Sequence, residues 1–447
     1  MPQTPVLCSA VDPTARGPIS LVCPEQLSPN PNNPRNHTRA QIRAIAKSIE
    51  TFGFNAPILA DKDGCILAGH GRVEAAKLLG LTKVPIIFLH HLSDAEARAY
   101  MLADNKLTDR SSWNEATLAV QLKELTDLAL TFDIEATGFE LPEIDFRIQS
   151  LEPIDTVDGS DDFKLASGRP TCSLGEIWQL GEHRILCGNA LDDLSGLFGT
   201  EKATAAFTDP PYNVRIDGHV SGKGAVQHRE FPMATGEMSK AEFASFLASA
   251  VSSICRHTIP GALIYTCMDW RHMSEILAAG QSSGCELLNV CVWVKSNGGM
   301  GSLYRSRHEL CFVYRNGAEP HLNNVQLGRF GRNRTNVWNY PGGNAFARRG
   351  SLRNLEHHPT VKPILMVADA IQDSSNRNDL VFDPFLGSGT TLLAAERINR
   401  RCFAVELDPL YVDTTINRWQ RMTGRKAHNQ LGESFAVIKS RRSNVND

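Results

Sequence analysis

Apolar segments of strand length alternate with helical segments through residues 175–425, and this alternation constrains the fold more than any other feature. The strand candidates, in chain order, are AAFT, ALIYTCM, LLNVCVWVK, ELCFVYR, LVFDP and CFAVEL. Helical segments such as KAEFASFLASAVSSIC and TTLLAAERINR lie between them. Because strands that alternate with helices build a mostly parallel sheet, the sequence predicts a doubly wound α/β domain over residues 175–425.

A smaller α+β domain is predicted over residues 19–110. Its clearest element is an amphipathic helix in NHTRAQIRAIAKSIETFG, with Ile42, Ile45 and Ile49 on one face and Gly53 as a stop signal. A hairpin is predicted around Asp63-Gly64, followed by a second helix and another sheet segment. The remaining boundaries are a tail at 1–18, a helical and acidic linker at 111–174 and a C-terminal tail at 426–447.

The distribution of charge matters more than its sum. With 46 Lys+Arg and 49 Asp+Glu, the formal net charge of −3 argues against a phosphate-binding chain. However, residues 133–162 contain ten acidic residues and one base, whereas residues 321–355 contain six arginines and no acidic residue. A solvated basic loop is the simple alternative, but we expect this stretch to face nucleic acid. The candidate contacts are Arg305, Arg307, Arg329, Arg332, Arg334, Arg348 and Arg349.

A glycine turn follows the fifth strand candidate. LVFDPFLGSGTT, residues 380–391, runs from an apolar strand through Gly387 and Gly389 into a helix, and the next strand ends at Glu406. Glycine permits positive φ and close backbone approach, which a nucleoside-containing ligand needs at the carboxyl edge of a parallel sheet. Glu406 is placed to accept hydrogen bonds from ribose hydroxyls. Leu392 replaces the third glycine of a dinucleotide site, so an ordinary tight turn stays open as the alternative.

The tetrapeptide Asp209-Pro210-Pro211-Tyr212 directly follows the first strand candidate. Its two prolines end the strand and fix a rigid loop at the edge of the sheet where α/β active sites are built. This set suits the exocyclic amine of a flipped base, with Tyr212 stacked on the ring and Asp209 and the Pro210 carbonyl accepting the two N–H groups. An ordinary Asp-Pro turn is the alternative.

Together these motifs resemble the DNA amino-methyltransferases that act on adenine N6 or cytosine N4. The matching segments are DPPY at 209–212, HPTVKP at 358–363 and DPFLGSGTT at 383–391. Their order is similar to the beta arrangement of that family, with the recognition region at about 215–357. The resemblance covers about residues 175–425. It implies a Rossmann-like domain that binds S-adenosyl-L-methionine and double-stranded DNA.

The resemblance also implies roles for individual residues. It assigns the catalytic role to Asp209, Pro210, Pro211 and Tyr212. It assigns cofactor contacts to Asp383, Pro384, Phe385, Gly387, Gly389, Thr390, Glu406 and Asp408, with Thr360 and Lys362 near the methionine end of the cofactor. His308-Glu309 and Trp293-Val294-Lys295 also match family patterns and are expected only to shape the pocket.

The target base stays open between two choices. Asp rather than Ser at position 209 favours adenine N6, and cytosine N4 is the alternative. A C5-cytosine enzyme needs a Pro-Cys nucleophile, and the sequence contains no such dipeptide. An inactive DNA-binding regulatory protein is the competing class. The sequence leaves open whether a restriction enzyme accompanies the chain and whether it forms a homodimer.

The segment LAGHGRVEAAKLLG, residues 67–80, resembles the glycine-arginine box of ParB-like and sulfiredoxin-like domains. Gly69, Gly71 and Arg72 stand at a predicted helix start, where free N–H groups can bind phosphate or a nucleotide. His70 occupies the place where sulfiredoxin chemistry needs cysteine, so peroxiredoxin repair is not expected. A nuclease and a nucleotide-dependent DNA clamp stay open beside a DNA-binding or assembly role.

The composition favours a reduced, cytoplasmic location. The amino terminus lacks the apolar core of a signal peptide, and no run of eighteen apolar residues occurs. The eleven cysteines are scattered and form no C-x-x-C pair, so neither a disulfide framework nor a zinc site is expected. The sequence therefore predicts no metal and no membrane partner.

Overall fold

The computed structural model describes residues 17–108, 110, 112–128, 130–151, 165–214, 236–295, 303–327, 334–340 and 361–443. The chain divides into two compact units, with the boundary between Ile154 and Asp155. This boundary lies inside the segment predicted as a linker, residues 111–174.

The amino-terminal unit contains a four-stranded sheet in the order β1-β4-β2-β3. β2 runs parallel to β4, whereas β1 pairs with β4 and β3 with β2 in the antiparallel sense. The strands are β1 (Ile19–Val22), β2 (Ile58–Ala60), β3 (Ile66–Ala68) and β4 (Val84–Phe88). The helices of its described residues are α1 (Arg39–Phe52), α2 (His70–Leu78), α3 (Asp94–Thr108), α4 (Glu115–Asp127) and α5 (Leu141–Gln149).

Helix α1 and the β2–β3 hairpin form where the sequence predicts them. The Thr38 side chain accepts the Gln41 N–H and caps the start of α1, while Gly53 ends it with φ of +86°. The hairpin turns at Asp63-Gly64, where Gly64 has φ of +83°. Local patterning and turn chemistry therefore determine both elements.

Helices α4 and α5 belong to this unit, although the sequence assigns them to a linker. Leu122, Ile134 and Ile144 are buried together in a small apolar cluster. The Lys47 ammonium on α1 lies 2.8 Å from Asp133 Oδ2 and 2.9 Å from Glu135 Oε2. Two acidic residues of the predicted linker thus anchor it to α1.

The carboxyl-terminal unit is built on a ten-stranded sheet in the order β11-β9-β10-β8-β7-β12-β13-β6-β5-β14. The strands are β5 (Ile177–Leu180), β6 (His183–Cys187), β7 (Ala203–Thr208), β8 (Thr258–Met268), β9 (Cys285–Val294), β10 (His308–Asn316), β11 (Val337–Asn339), β12 (Leu380–Asp383), β13 (Arg401–Glu406) and β14 (His428–Asn429). The helices of the described residues are α6 (Ser195–Phe198), α7 (Lys240–His257), α8 (Met273–Ser282), α9 (Ile364–Asp373), α10 (Thr390–Arg397), α11 (Pro409–Thr423) and α12 (Phe435–Ser443).

The centre of this sheet is parallel and contains a topological switch point. β8, β7, β12, β13 and β6 run in one direction, and the chain leaves β7 toward β8 but leaves β12 toward β13. The carboxyl ends of β7 and β12 are therefore neighbours at the position where ligands bind to open α/β sheets. β10 runs antiparallel to β8, so its first residues lie at the same edge.

Apolar clusters cover both faces of the sheet, which confirms the predicted doubly wound fold. One cluster joins residues of α9, α10 and α11 with alternate strand residues such as Val381. The other joins residues of α6, α7 and α8 with the intervening residues, such as Phe382. Consecutive strand residues point to opposite faces, so burial on both faces accounts for the nearly continuous apolar strands.

The segment predicted as a C-terminal tail, residues 426–447, is part of this unit as far as Ser443. β14 pairs with β5, and Phe435 and Ile438 of α12 are buried. The Phe435 ring contacts Trp178 at 5.4 Å between centroids. The segment is polar on average, so the sequence predicted a tail, but Phe435 and Ile438 attach it to the core.

Candidate active site

The tetrapeptide 209–212 leaves β7 at the switch point and presents its polar groups to one another. The Tyr212 hydroxyl donates to Asp209 Oδ1 at 2.6 Å and lies 3.4 Å from Glu309 Oε2. Pro210 is buried, and the Asp209 side chain is 28% exposed. The loop therefore offers a carboxylate to a ligand from a rigid backbone.

Lys362, which precedes the N-cap of α9, lies at the centre of this cluster. Its ammonium is 2.6 Å from Asp209 Oδ2, 3.0 Å from Glu309 Oε2 and 3.3 Å from the Tyr212 hydroxyl. The side chain is only 4% exposed. The resemblance assigned Lys362 to the methionine end of the cofactor; in the structure its ammonium contacts the carboxylate of Asp209, the residue predicted to be catalytic.

Glu309 and Lys295 complete the cluster from the β9–β10 pair. The Lys295 ammonium bonds to Glu309, whose second oxygen faces Lys362. Sequence reasoning expected both residues only to shape the pocket. A charged residue at one end of each of two apolar strands was the available signal, but nothing in the sequence showed that Glu309 pairs with a lysine more than fifty residues away.

The electrostatics of the cluster follow from burial and pairing. Burial opposes ionisation of Glu309, but Lys362 and Lys295 outweigh it and lower its pKa to about 2. Burial also opposes the charge on Lys362, yet Asp209 and Glu309 raise its pKa. Burial raises the pKa of Asp209, an effect that Lys362 reduces and Glu309 reinforces. The site thus contains two carboxylates held by two ammonium groups.

The glycine turn through Gly387 and Gly389, the predicted cofactor turn, connects β12 to α10 beside this cluster. The Gly387 N–H donates to Glu406 Oε2 at 2.7 Å, and the Asp408 N–H donates to Oε1 at 2.8 Å. The Phe385 N–H donates to Asp383 Oδ1 at 3.0 Å. Burial raises the pKa of both carboxyl groups, Asp383 and Glu406, to about 7. Hydrogen bonds from the hydroxyl groups of a ligand would therefore stabilise the ionised form of both carboxyl groups.

The glycines of the turn fit a close approach by a ligand. Gly387 has φ of +55°, and a Cβ there would meet open space. Gly389 has φ of +95° at the N-cap of α10, where a Cβ would lie 2.6 Å from Thr415 Cγ2. Thr390, the first residue of α10, is buried. An open backbone surface at a helix start suits the polar end of a nucleoside ligand.

Asp408, the last predicted cofactor contact, has a clear structural role. Its Oδ1 accepts the Leu410 N–H at 2.9 Å and caps α11, while Pro409 occupies the first helical position. The buried carboxylate therefore orients the loop that follows β13.

Asn213 is a residue that sequence reasoning missed. It adopts φ of +51°, a conformation that is rare for residues other than glycine. Its side-chain oxygen accepts the N–H groups of Gly236 and Met238, and its Nδ2 donates to the Met238 carbonyl at 2.8 Å. Asn213 therefore joins the end of the 209–212 tetrapeptide to the segment that enters α7.

The predicted DNA contacts divide into three groups. Arg305 and Arg307 are exposed before β10. Arg334 differs from the expectation, because its guanidinium lies 3.0 Å from Asp373 and 3.4 Å from Asp369 in a half-buried ion pair that anchors it to α9. Arg329, Arg332, Arg348 and Arg349 lie outside the described residues, as does Thr360, which the resemblance assigned to the cofactor.

The glycine-arginine box of the amino-terminal unit forms a tight turn at the start of α2. Gly69 has φ of +99°, and a Cβ there would lie 2.9 Å from the Arg72 guanidinium. The Arg72 Nε is buried, with no hydrogen-bond partner among the described residues. At Gly71 a Cβ would lie 2.9 Å from the end of the Ile45 side chain. Arg72 therefore folds back over a turn in which Gly69 adopts a backbone conformation that favours glycine.

The described residues contain no group of three His, Cys, Asp or Glu side chains that could hold a metal ion. Their helices are all too short or too polar to cross a membrane.

Comparison with known proteins finds a family match for each of the two regions. The sequence model of the DNA methylase family matches residues 203–417, and that of the ParB N-terminal domain matches residues 9–106. The ParB-like nuclease domain-containing protein YnaK of Escherichia coli (strain K12) is 43% identical over 72 residues, 16% of this chain and 83% of that protein. Type II methyltransferase M.HpaI of Haemophilus parainfluenzae is 24% identical over 251 residues, 53% of this chain and 74% of that protein.

Solved structures include TTHA0409, a putative DNA modification methylase from Thermus thermophilus, in complex with S-adenosyl-L-methionine. It is 21% identical, with a TM-score of 0.39 over 54% of this chain and 93% of that one. The family match confirms the resemblance to DNA amino-methyltransferases and, with it, S-adenosyl-L-methionine as the expected methyl donor. The chain therefore contains a domain of the N6/N4 DNA methylase family over residues 203–417 and a ParB N-terminal domain over residues 9–106.

Proposed function

We propose that this DNA methyltransferase transfers a methyl group from S-adenosyl-L-methionine to the N6 atom of a flipped adenine in double-stranded DNA. The observation that carries the proposal is the Asp209 carboxylate, which stands partly exposed at the switch point beside the Gly387–Gly389 turn. The same edge of the sheet thus carries an acceptor for an exocyclic amine and a cradle for the methyl donor.

The chain's own groups account for activation of the amine. Asp209 and the Pro210 carbonyl accept its two N–H groups, which turns the nitrogen lone pair away from the ring. Tyr212 stacks on the base, and its hydroxyl gives up the Asp209 Oδ1 acceptor to the amine. When bound, S-adenosyl-L-methionine would supply an electrophilic methyl group, and S-adenosyl-L-homocysteine would leave with the electron pair of the broken carbon–sulfur bond. The extra proton on the methylated nitrogen then passes to Asp209, whose raised pKa favours its acceptance.

Cofactor contacts follow from the turn. Glu406 accepts the ribose hydroxyls, while Asp383, Pro384, Phe385, Gly387, Gly389 and Thr390 surround the remainder of the ligand. Asp408 acts through the α11 cap that orients the same loop. Lys362 acts on Asp209, and with Thr360 it lies near the methionine end of the cofactor.

The experiment that tests this function is sequencing with modification calling on DNA from cells that express the chain or its Asp209→Ala variant. We expect N6-methyladenine at one recognition sequence with the wild type and none with the variant. Mass spectrometry of the nucleosides separates this result from N4-methylcytosine, which would transfer the same mechanism to cytosine. A wild type that binds DNA but neither binds nor consumes S-adenosyl-L-methionine would instead support an inactive regulatory protein.

For the amino-terminal unit, we propose phosphate binding at Gly69, Gly71 and Arg72, with a nucleotide as the ligand. The buried Arg72 Nε that lacks a partner supports this, because an anion would satisfy it. Titration calorimetry with CTP and ATP should detect binding that Arg72→Ala abolishes. Arg43→Ala, which removes an exposed arginine of α1, is the matched control and should bind normally. We also propose that the protein acts in the cytoplasm, on the DNA present there.

A further inference from the structure

The segment before β10 exposes two adjacent large apolar side chains. Leu303 and Tyr304 are each 84% exposed, the highest values for large apolar residues in the part of the chain that the structure describes. Scattered apolar residues on a surface need no explanation, but an exposed pair at one loop indicates a contact. Neither residue has a place in the chemistry described above.

The base of this loop is tied to the active site. The Lys295 N–H donates to the Arg307 carbonyl at 2.8 Å, and Val294 pairs with His308. Immediately beyond this closure, the Lys295 and Glu309 side chains join the cluster around Asp209. Tyr304 is five residues from Glu309, a span of at most about 17 Å in extended chain. The exposed pair is therefore close enough to the Asp209 carboxylate to contact the same short stretch of a bound duplex.

The charge around the pair identifies the kind of partner. Arg305 and Arg307 are exposed, and neither forms an ion pair with another described residue. Two free guanidinium groups beside two apolar side chains fit a partner with an anionic surface and an apolar interior. A nucleic-acid duplex opened at one base pair has both, since its phosphates flank a stack of bases.

We propose that Leu303 and Tyr304 enter the duplex where the target base leaves it, while Arg305 and Arg307 bind the flanking phosphates. This inference rests on the proposed function, because a gap exists only if a base is flipped. An apolar side chain in the gap stacks on the exposed neighbours and offsets the unstacking that flipping requires. The arginines hold the loop in register on the backbone.

The test compares two duplexes that carry the recognition sequence found by modification calling. One is fully paired, and the other has a mismatch opposite the target base, where flipping is already easy. Single-turnover methylation is measured for wild type, Leu303→Ala, Tyr304→Ala and a matched control, Leu431→Ala, which removes a leucine that is 82% exposed at another loop. Cofactor binding of each variant is measured by calorimetry.

We expect Tyr304→Ala to methylate the paired duplex roughly 10-fold or more slowly. In this variant no tyrosine ring stacks on the neighbouring bases to offset the unstacking of the flipped base in the transition state. On the mismatched duplex it should recover to near the wild-type rate, and Leu431→Ala should match wild type on both. Arg305→Ala should instead weaken binding to both duplexes and reduce its salt dependence. An equal loss on both duplexes, or none on either, would overturn the wedge while leaving the methyltransferase intact. A wild type that methylates neither duplex would overturn the proposed function and the wedge with it.

Discussion

Removal of the Lys362 ammonium should shift the pH dependence of methyl transfer upward. Asp209 must be ionised to accept the amine, and Lys362 lies 2.6 Å from its Oδ2. Two unit charges about 4 Å apart interact by about 4 kcal/mol at an effective dielectric constant of about 20. That energy corresponds to about 3 pH units, since one unit equals about 1.4 kcal/mol.

Solvent access reduces this figure, because the Asp209 side chain is 28% exposed. For Lys362→Met we therefore expect the acid limb of the kcat/KM profile to move up by about 1 to 2 pH units. The variant should be severely slowed at neutral pH and regain much of its rate in alkaline buffer. The assay is incorporation of labelled methyl groups into duplex DNA across the pH range in which the protein stays folded.

A second variant should move the same limb in the opposite direction. Glu309→Gln removes the carboxylate whose charge reinforces the raised pKa of Asp209, so the acid limb should move down. Lys426→Met, which removes an exposed lysine, is the matched control and should leave the profile unchanged. If Lys362→Met and Glu309→Gln both gave the wild-type profile, the cluster would not control the ionisation of Asp209 and our reasoning would be refuted.

Three further predictions concern the cofactor turn and the anchor on α9. Glu406, with its pKa near 7, should bind S-adenosyl-L-methionine more weakly as pH falls below about 7, whereas Glu406→Gln should bind roughly tenfold more weakly with little pH dependence, as calorimetry can measure. Gly389→Ala should lower the free energy of unfolding by about 2 kcal/mol or more, against about 1 kcal/mol for Gly387→Ala, because only Gly389 also lacks space for a Cβ; urea unfolding checks the order. Arg334→Met should lower the free energy of unfolding by about 2 to 3 kcal/mol in the same assay, because it removes the cation that faces both Asp369 and Asp373; an unchanged midpoint would contradict this.

Local signals were sufficient to predict the parts of the fold that lie close together in sequence. The strand before Asp209 and the turn through Gly387 and Gly389 each follow from apolar runs and from residues with special backbone preferences. Their neighbourhood at one sheet edge follows from the rule for doubly wound sheets. The predicted carboxylate and the cofactor turn therefore lie where the sequence indicates.

Partners distant in sequence could not be predicted in this way. Lys362 and Asp209 are separated by 153 positions, and the motif around Lys362 gives no sign of its partner. Arg334 belongs to a run of basic residues that reads as solvent-facing, but two carboxylates of α9 bind it. Composition describes the average environment of a segment, whereas an ion pair depends on a single contact that only the tertiary fold creates.

The packing of α4 and α5 has a practical consequence for dissecting this protein. A fragment cut at residue 110 would retain α1 but lose Asp133 and Glu135, the two acids that bind Lys47. It would also lose Phe132, whose ring contacts Phe52 at 5.2 Å between centroids. The piece that can be exchanged between proteins, or expressed alone to study nucleotide binding, therefore extends through α5. Gene fusions that preserve this longer piece are the ones we expect to yield a folded amino-terminal unit.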